Sequence, residues 1–294
     1  MDIIVAFRVY NDYVVIRAIG ITGKKMARIS VLMGIYNCAA TLPEALDSLY
    51  SQTYLDFKII LCDDGSTDNT YNIAKSYAEK HDNIVLIKNE RNMGLNFTLN
   101  HCLEYADTEY CARMDGDDIS LPTRFEKEIA FLDAHKEYAF VSCPMYYFDE
   151  DGVYGRGYIS RNEPEKKDFP KGSQFCHAPC MVRREAYEYV GGYTIEKWLL
   201  RLEDAHLWMK MYMAGYKGWR LEEPLYSMRD DRNATSRRKL RFYLCASRLN
   251  YMICRNFHLP LSSYIYCLRP LLVALLPTWI YEYLHRRQFK KNCL

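Results

Sequence analysis

From residue 29 onward, apolar positions alternate between short continuous runs and longer runs with helical spacing. This order predicts a mainly parallel sheet with helices on its faces. The short runs predict strands at residues 29–36, 57–62, 84–88, 110–114 and 140–143. The helical spacing predicts helices at residues 41–50, 66–77, 96–105 and 123–135. The first four strands and three helices give a βαβαβαβ order, and a further helix and strand follow.

Two local signals refine the helix starts, and one stretch breaks the pattern. The run from Thr41 to Glu44 has the form of a capping box, and Ser66 is placed to cap the helix that follows the second strand. Residues 149–172 are rich in glycine, proline and charge, which predicts a long loop. Further helices are expected at residues 184–189, 205–214 and 236–257.

The two ends of the chain lie outside this pattern. Residues 1–25 lack the basic start and clean apolar run of a signal peptide. Because Met26 stands directly before the first convincing strand, they are either a start-site artefact or a loosely attached extra strand.

Residues 270–281 are uncharged but well short of the ~20 needed to span a bilayer. Trp279, Tyr281 and a basic tail suit a membrane-interface segment, with a helix packed on the domain as the equal alternative.

Composition narrows the class of protein without naming a partner. The chain of 294 residues is 49% hydrophobic and 14% aromatic, which is ample for a buried core. Its 39 basic and 37 acidic residues give a formal charge of +2, so nothing favours nucleic acid as a partner. Eleven cysteines are scattered through apolar segments with no secretory signal before them. We interpret them as reduced core residues of a cytoplasmic protein.

Acidic residues follow two of the predicted strands, where open parallel sheets bind their ligands. Asp63 and Asp64 come directly after the second strand. Two adjacent carboxylates repel each other unless one has a partner, such as the N–H of a base. Residues 65–68 that follow fit ordinary turn and cap chemistry. We therefore assign a functional role to Asp64.

The second acidic cluster places Asp115, Asp117 and Asp118 within four residues after the fourth strand. So many carboxylates are unfavourable together unless a cation neutralises them. Oxygen ligands of this kind suit Mg²⁺ or Mn²⁺ that is also bound by substrate phosphates. The alternative is an acidic surface loop, and Asp118 fits it by capping the turn before Pro122.

A third acidic pair, Glu203 and Asp204, stands at a predicted helix start, where the helix dipole alone would favour it. Taken with the other clusters, one of the pair becomes a candidate general base. His177 and several arginines are candidates to line a pocket, with a solvated surface as the alternative for most of the arginines. The arginines are Arg183, Arg184, Arg229 and Arg232.

These motifs together resemble the family 2 glycosyltransferases, which have the GT-A fold. The matching stretch runs from Ile29 to about Arg238. It contains the first strand through Asn37, Ser51-Gln52-Thr53, residues 63–68, residues 89–94, the Asp-x-Asp at Asp115 and Asp117, Gly191-Gly192-Tyr193, and Glu203-Asp204. One such motif would be weak, but their order and spacing together are highly specific.

The resemblance implies an α/β fold with a mainly parallel central sheet, helices on both faces and a C-terminal helical extension. The catalytic domain would cover residues 26–235, divided into a nucleotide-binding half, 26–145, and an acceptor-binding half, 146–235. Residues 1–25 would be an N-terminal extension. Residues 236–294 would be a helical C-terminal region that carries the candidate membrane-interface segment.

On the donor side, the resemblance implies that Tyr36 packs against the nucleotide base and that Asp64 hydrogen-bonds the uracil edge. Arg91 and Asn92 would lie beside the nucleotide. Tyr36 has an alternative of its own, since an aromatic residue at a strand end is often part of the core.

On the reaction side, the resemblance implies that Asp115 and Asp117 hold the Mn²⁺ or Mg²⁺ that bridges the diphosphate. Asp204 would be the catalytic base. Glu203 and His177 would belong to the substrate pocket.

The implied function is inverting transfer of a sugar from a nucleotide diphosphate sugar, with UDP expected, to an acceptor hydroxyl. The acceptor would be a glycan or a lipid-linked glycan in cell-surface polysaccharide or glycolipid synthesis, at the inner face of the membrane. The Gln-x-x-Arg-Trp motif of processive synthases is absent after Asp204, which favours single additions. Gly34 stands where many relatives carry a polar residue that touches the base, so the nucleotide is less well defined than the fold.

Other classes fit less well. An oxidoreductase with a dinucleotide cofactor would carry Gly-x-Gly-x-x-Gly after the first strand, and this chain does not. A sugar nucleotidyltransferase is closer in fold but needs a Gly-rich, Lys-containing phosphate loop after the first strand. A non-catalytic nucleotide-binding relative would be expected to lose one of the acids. These last two stay as alternatives.

Overall fold

The computed structural model describes residues 4–10, 13–19, 27–157, 161–230, 239–277 and 280, with the backbone alone for the first two segments. The strands are β1 (Ile4–Tyr10), β2 (Tyr13–Ile19), β3 (Ile29–Ile35), β4 (Phe57–Asp63), β5 (Ile84–Lys88), β6 (Tyr110–Arg113), β7 (Ile119–Ser120), β8 (Phe140–Ser142), β9 (Met145–Asp149), β10 (Gly152–Arg156), β11 (Met181–Arg183), β12 (Gly218–Arg220) and β13 (Tyr226–Arg229). The α-helices are α1 (Leu42–Tyr50), α2 (Thr70–Lys80), α3 (Leu95–Glu104), α4 (Arg124–Ala134), α5 (Arg184–Val190), α6 (Glu203–Met213), α7 (Leu240–Asn256) and α8 (Arg269–Ala274). Short 3₁₀ helices cover Lys166–Lys171, Lys197–Leu199 and Leu261–Cys267.

A seven-stranded sheet in the order β12-β8-β11-β6-β3-β4-β5 forms the centre of the fold. The pairs β3–β4, β3–β6, β4–β5 and β12–β8 are parallel, whereas β11 runs antiparallel to both β6 and β8. The prediction of a mainly parallel sheet is therefore confirmed. The antiparallel β11 brings the chain from the predicted acceptor-binding half back beside the strand that carries the second acidic cluster.

Alternate side chains of β3 enter two different cores, as expected for a strand buried on both faces. Val31 and Met33 pack with α1 and α4 on one face. Leu32 packs with α3, α5, α6 and α7 on the other. Helices therefore cover both faces, as predicted, and the ends of the central strands are left free to form a site.

A second sheet, in the order β10-β9-β13-β7, was not predicted. The expectation of one long loop over residues 149–172 is wrong, because this stretch contains β10 and the 3₁₀ helix Lys166–Lys171. Because glycine and charged residues are frequent in this stretch, the sequence pattern did not indicate the strands of the β9–β10 hairpin. Gly152, the first residue of β10, has a φ of 106° directly after the two-residue turn that joins these strands.

Both predicted helix caps are wrong. No capping hydrogen bond forms at Thr41, whose hydroxyl instead donates to the carbonyl of Gly116 at 2.9 Å. The helix after the second strand begins at Thr70, and the Thr70 N–H donates to Asp68 at 3.0 Å. Ser66 instead accepts a hydrogen bond from the N–H of Asn37. Both polar side chains thus connect loops at the carboxyl edge of the sheet.

The ends of the chain add one hairpin and one helical region. β1 and β2 pair with each other antiparallel, in a two-stranded sheet of their own. The 236–257 helix prediction matches α7, apart from residues 236–238, which lie outside the described residues. Trp279, Tyr281 and the basic tail also lie outside them. Among the helices that the structure describes, none is both long and apolar enough to cross a bilayer.

Candidate active site

The candidate residues converge because the strands that precede them are neighbours. β3 lies between β4 and β6, and Ile35 is aligned with Asp63 across the β3–β4 pair. The N–H of Met114, just after β6, donates to the carbonyl of Leu32. The segments that follow β3, β4 and β6 therefore leave the same edge of the sheet side by side. Tyr36, Asp64 and Asp115 belong to these three segments.

Tyr36 is the first residue after β3, and its side chain is 46% exposed. The alternative that it is a core aromatic is therefore wrong. Asn37, with a φ of 47°, turns the chain and accepts a hydrogen bond from the N–H of Thr67 at 2.9 Å. This bond fixes the segment after β3 to the segment after β4 and leaves the Tyr36 ring at the surface, available for stacking.

Asp63 and Asp64 both have partners within the protein. Asp63 is fully buried and lies 3.8 Å from the Lys88 ammonium. Asp64 accepts hydrogen bonds from the N–H of Met93 at 2.8 Å, the N–H of Gly94 at 2.9 Å and the Asn89 amide at 2.8 Å. The sequence argument that Asp64 needs a donor is thus satisfied by the chain itself. Asp64 positions the loop over residues 91–94, whether or not it also touches a base.

Gly65 makes this arrangement of loops possible. Its φ is +71°, and a Cβ atom there would lie 2.6 Å from the carbonyl carbon of Arg91. The loop that carries Arg91 and Asn92 therefore packs directly against the turn after β4. Both of these side chains are exposed beside Asp64.

Gly34 faces helix α3. A Cβ atom there would approach the Thr98 methyl to 3.0 Å. The absence of a side chain at Gly34 therefore allows α3 to pack closely on β3.

The acidic segment after β6 contains three carboxylates in three environments. Asp115 is held by the buried Arg113, whose two terminal nitrogens donate to its two oxygens at 2.9 and 2.6 Å. Asp117 is exposed, and the pKa of its carboxyl is raised by partial desolvation and by the charge of Asp115. Asp118 is buried and accepts the N–H of Arg229 at 2.8 Å.

The expectation that Asp118 belongs to a surface loop is therefore wrong. Its burial raises the pKa of its carboxyl, with Asp115 and Asp117 adding to the effect. The Asp118 bond to β13 anchors the acidic segment. The Tyr226 hydroxyl, which accepts the N–H of Asp115 at 3.2 Å, holds it from the same strand.

Glu203 and Asp204 open helix α6, as predicted, close enough to Arg113 for its charge to act on both carboxylates. Burial raises the pKa of Asp204, and the Ser173 hydroxyl donates to its carboxylate at 3.3 Å. Burial and the neighbouring Asp204 charge raise the pKa of Glu203. The Glu203 Oε2 atom is buried and has no hydrogen-bond partner among the described residues.

His177 is a neutral member of this group. Its Nε2 lies 2.7 Å from the Tyr193 hydroxyl, which in turn lies 3.1 Å from the Tyr187 hydroxyl. Burial holds the pKa of His177 well below its ordinary value, and the charge of Arg113 lowers it further. His177 therefore acts as a hydrogen-bonding group at neutral pH.

Arg113 connects the acidic segment after β6 with the Glu203–Asp204 pair, and its role was not identified from the sequence. It holds Asp115 directly, and its charge lowers the pKa of Asp117, Glu203 and Asp204 against the effect of burial. The arginine two residues before the Asp-x-Asp was the available signal. A buried cation is expected where several carboxylates meet.

Of the predicted pocket arginines, Arg183 is buried and donates to backbone carbonyls, and Arg232 lies outside the described residues.

Residues 30–191 match the family Glycosyl transferase family 2. This chain belongs to glycosyl transferase family 2. The prediction from the motifs is therefore confirmed, and glycosyl transfer is the activity class of the chain.

Two relatives illustrate the range of similarity. The putative glycosyltransferase EpsE of Bacillus subtilis (strain 168) is 43% identical over 262 residues, which cover 89% of this chain and 94% of EpsE. The Escherichia coli protein WfaP, a UDP-Glc:alpha-D-GlcNAc-diphosphoundecaprenol beta-1,3-glucosyltransferase, is 30% identical over 195 residues. These cover 65% of this chain and 73% of WfaP.

Two solved structures share the fold. S. aureus TarS 1-349 in complex with UDP-GlcNAc has a TM-score of 0.65 at 23% identity, over 84% of this chain and 72% of that chain. Mannosyltransferase PcManGT from Pyrobaculum calidifontis in complex with GDP-Man and Mn²⁺ has a TM-score of 0.62 at 19% identity, over 87% and 72%. The predicted GT-A fold is confirmed.

Proposed function

We propose that this glycosyltransferase moves a sugar from a UDP-sugar to a hydroxyl of a lipid-linked glycan, with inversion at the anomeric carbon, in cell-surface polysaccharide synthesis. The observation that carries the proposal is the placement of two acidic groups around Arg113. We assign Asp115 and Asp117, of which Arg113 holds Asp115, to the donor side, and Asp204, on which the Arg113 charge also acts, to the acceptor side. The names of WfaP and of the TarS complex support a UDP-sugar donor and a lipid diphosphate acceptor.

On the donor side, the exposed Tyr36 ring would stack on the base. Asp64 would contact the base edge through a lone pair that its three protein donors leave free, because a carboxylate accepts about four hydrogen bonds. Arg91 and Asn92 would lie beside the nucleotide. The chemistry of these groups suits a planar base with a polar edge.

The residues of the acidic segment fit a divalent cation. Asp117 is exposed, and partial desolvation together with the charge of Asp115 raises the pKa of its carboxyl, so a bound cation would favour its charged form. Among the described residues, no group of three or more His, Cys, Asp and Glu side chains could hold a metal alone. Asp117 and Asp115 would therefore bind Mn²⁺ or Mg²⁺ together with the donor diphosphate, as hard cations commonly are bound. A cation bound there would stabilise the negative charge that develops on the departing diphosphate.

The transfer step itself would use Asp204. As the acceptor oxygen bonds to the anomeric carbon, its proton would pass to the Asp204 carboxylate. The bond from that carbon to the diphosphate oxygen would break, and its electron pair would leave with the diphosphate. Attack from the face opposite the leaving group inverts the centre without a covalent intermediate. Glu203 and His177 would orient the acceptor or the loop beside the base.

Two features of the sequence bear on the alternatives. All the acids that a non-catalytic relative would be expected to lose are present. A single-addition enzyme is favoured because the processive motif is absent after Asp204. A cytoplasmic enzyme at the inner face of the membrane would meet both the donor and the lipid-linked acceptor.

The decisive experiment follows donor turnover and Mn²⁺ binding in the wild type and in Asp117→Asn. We expect the variant to stay folded, because Asp117 is exposed, and to lose most Mn²⁺-dependent transfer. Calorimetric titration of Mn²⁺ into the UDP complex should show a large loss of affinity. Glu79→Gln, which removes an exposed acid on α2, serves as the control and should match the wild type. Full activity and unchanged Mn²⁺ affinity in Asp117→Asn would show that the metal assignment is wrong.

A further inference from the structure

Helix α7 has one buried apolar face and, on the opposite side, large apolar side chains that are at least half exposed beside the 3₁₀ helix Leu261–Cys267. Leu249 and Ile253 are buried in the core that contains Leu32, which we call the second core. On the opposite face, Leu240, Leu244 and Tyr251 are separated by four and seven positions and share one side of the helix. They are 63%, 53% and 50% exposed. An amphipathic helix of an ordinary globular domain would carry polar residues there.

The segment after α7 continues this exposed apolar surface. Its 3₁₀ helix and α8 contain no buried side chain. The large apolar side chains that they expose are Leu261 at 88%, Ile265 at 67%, Leu268 at 55%, Leu272 at 63% and Leu275 at 79%. We call residues 240–275 the C-terminal platform. Exposed apolar surface concentrated in one segment marks an interaction site.

The charged side chains within this segment all have the same sign. From residue 239 to residue 281 the sequence contains no Asp or Glu. Arg241, Arg248 and Arg255 recur every seven residues along α7, are exposed, and flank its apolar stripe; Arg269 is exposed on α8. A segment that exposes apolar side chains and whose own charged residues are all basic suits the interface of an anionic bilayer. Two copies of the surface placed face to face would bring their arginines together, which disfavours a dimer as the occupant.

The C-terminal platform is also braced against the segments on both sides of Asp204. The Arg248 guanidinium lies 4.2 Å from the centre of the Trp198 ring, and the Arg201 guanidinium lies 5.1 Å from that of Phe242. Trp198 and Arg201 belong to the segment that leads into α6. On the other side, Arg269 donates to the carbonyl of Lys171, two residues before the serine that contacts Asp204.

We propose that the C-terminal platform binds an anionic bilayer surface through its exposed leucines and arginines, and that its bracing contacts hold the Asp204 side of the active site next to that surface. The second part rests on the proposed function, since it gives a lipid-linked acceptor a short path to the base. The first part is independent of the chemistry, because vesicle binding requires neither donor nor acceptor.

The test measures cosedimentation of the full-length protein with phosphatidylcholine vesicles that contain or lack phosphatidylglycerol, without nucleotide. We expect wild-type protein to bind the anionic vesicles and to be released by salt. The combined variant Leu261→Ser, Ile265→Ser, Leu272→Ser should bind at least tenfold more weakly. Arg241→Gln with Arg255→Gln should selectively lose the preference for anionic vesicles. All variants should hydrolyse a soluble UDP-sugar at the wild-type rate, which verifies their fold.

A matched control replaces three large apolar residues that are equally exposed elsewhere. Leu55, Val153 and Tyr189 are 70%, 61% and 72% exposed, and their combined change to serine should leave vesicle binding intact. Equal loss of binding in this control, no binding by the wild type, or a dimer in light scattering that the platform variant abolishes would each overturn the proposal. Vesicle binding without any glycosyl transfer would instead support the platform and contradict the proposed function.

Discussion

Glu203 and Asp204 are neighbours in the sequence, but their carboxylates have different surroundings. Asp204 has a hydroxyl donor in Ser173, whereas Glu203 has a buried oxygen without a partner among the described residues. Burial raises the pKa of both groups. A carboxylate whose pKa is raised holds a proton more readily, which suits a base that must accept one during turnover. If Glu203 orients the acceptor as proposed, its unpartnered oxygen would gain a donor when the acceptor binds.

These environments separate the roles of the two acids. Asp204→Asn keeps the size of the side chain but cannot take the acceptor proton, so turnover should fall by roughly 10² to 10⁴. Loss of a favourable charge at a helix start would cost at most ~1 kcal/mol of stability and would not slow the reaction. Single-turnover kinetics and calorimetric donor affinity distinguish the two. Glu203→Gln should be milder; a dead Glu203→Gln beside an active Asp204→Asn would reverse the assignment.

Asp64 combines a structural and a proposed recognition role, and the two predict different losses. Asp64→Ala leaves the N–H groups of Met93 and Gly94 without their acceptor, which should lower the free energy of unfolding by ~1–3 kcal/mol. If Asp64 also contacts the base, the variant should lose its preference for UDP over GDP in competitive binding. Equal weakening of both nucleotides would limit Asp64 to holding the loop over residues 91–94.

At the scale of elements, helix α4 supports the acidic segment through a hydrogen bond to its base at Arg113. Arg124 and Glu128 are both fully buried, and Arg124 donates to the carbonyl of Arg113 at 2.8 Å. Its guanidinium also lies 5.2 Å from the ring centre of Tyr226. Burial raises the pKa of Glu128 to about 7, above the ordinary value of about 4.5. The fold therefore favours the protonated form, and the stability that Glu128 contributes is greatest below pH 4.5 and is lost as the pH rises through 7.

Arg124→Met should consequently destabilise the protein in a pH-dependent way. At pH 8 it leaves Glu128 buried without its cation, so the folded protein must either keep an unpaired charge or bind a proton that the unfolded chain does not, at a cost of roughly 3–5 kcal/mol. At pH 5.5 Glu128 can be neutral, so the cost should be clearly smaller. Urea unfolding at the two pH values measures the difference. Lys127 lies on the same helix as Arg124 and forms an exposed ion pair with Glu223. Lys127→Met, which removes this pair, should change the stability little at either pH. A pH-independent loss in Arg124→Met would contradict this account.

The elements that the sequence predicted well are those with one strong physical signal. β3 and β4 are buried on both faces, so their residues form continuous apolar runs that mark their positions. β9, β10 and β13 are short, partly exposed strands between glycine and charged residues, and their pairing depends on distant partners. Pairing with distant partners produces no clear hydrophobic pattern in the local sequence. The failed caps have the same cause, because Thr41 and Ser66 bind loops that are remote in sequence.

At the scale of the whole molecule, the acids of the site could be found from their positions after strands or at a helix start, but their arrangement could not. Arg113 joins Asp115 to the region of Asp204 only because antiparallel β11 folds the second half of the chain back beside β6. Asp118 is buried only because β13 returns to cover it. Both effects depend on contacts across some hundred residues, whereas the sequence motifs report only on their own loops.

The boundary of the catalytic unit provides the last prediction. A chain that ends after Leu259 keeps Leu249, Ile253 and Phe257 in the second core and loses only segments whose described side chains are not buried. It should fold, bind UDP like the full chain and lose at most ~2 kcal/mol of stability, while no longer binding vesicles. Thermal unfolding, UDP titration and cosedimentation measure the three properties. A chain that ends after residue 238 also loses α7, exposes the second core and should aggregate. Aggregation of the longer truncation would instead show that the 3₁₀ helix and α8 are part of the core.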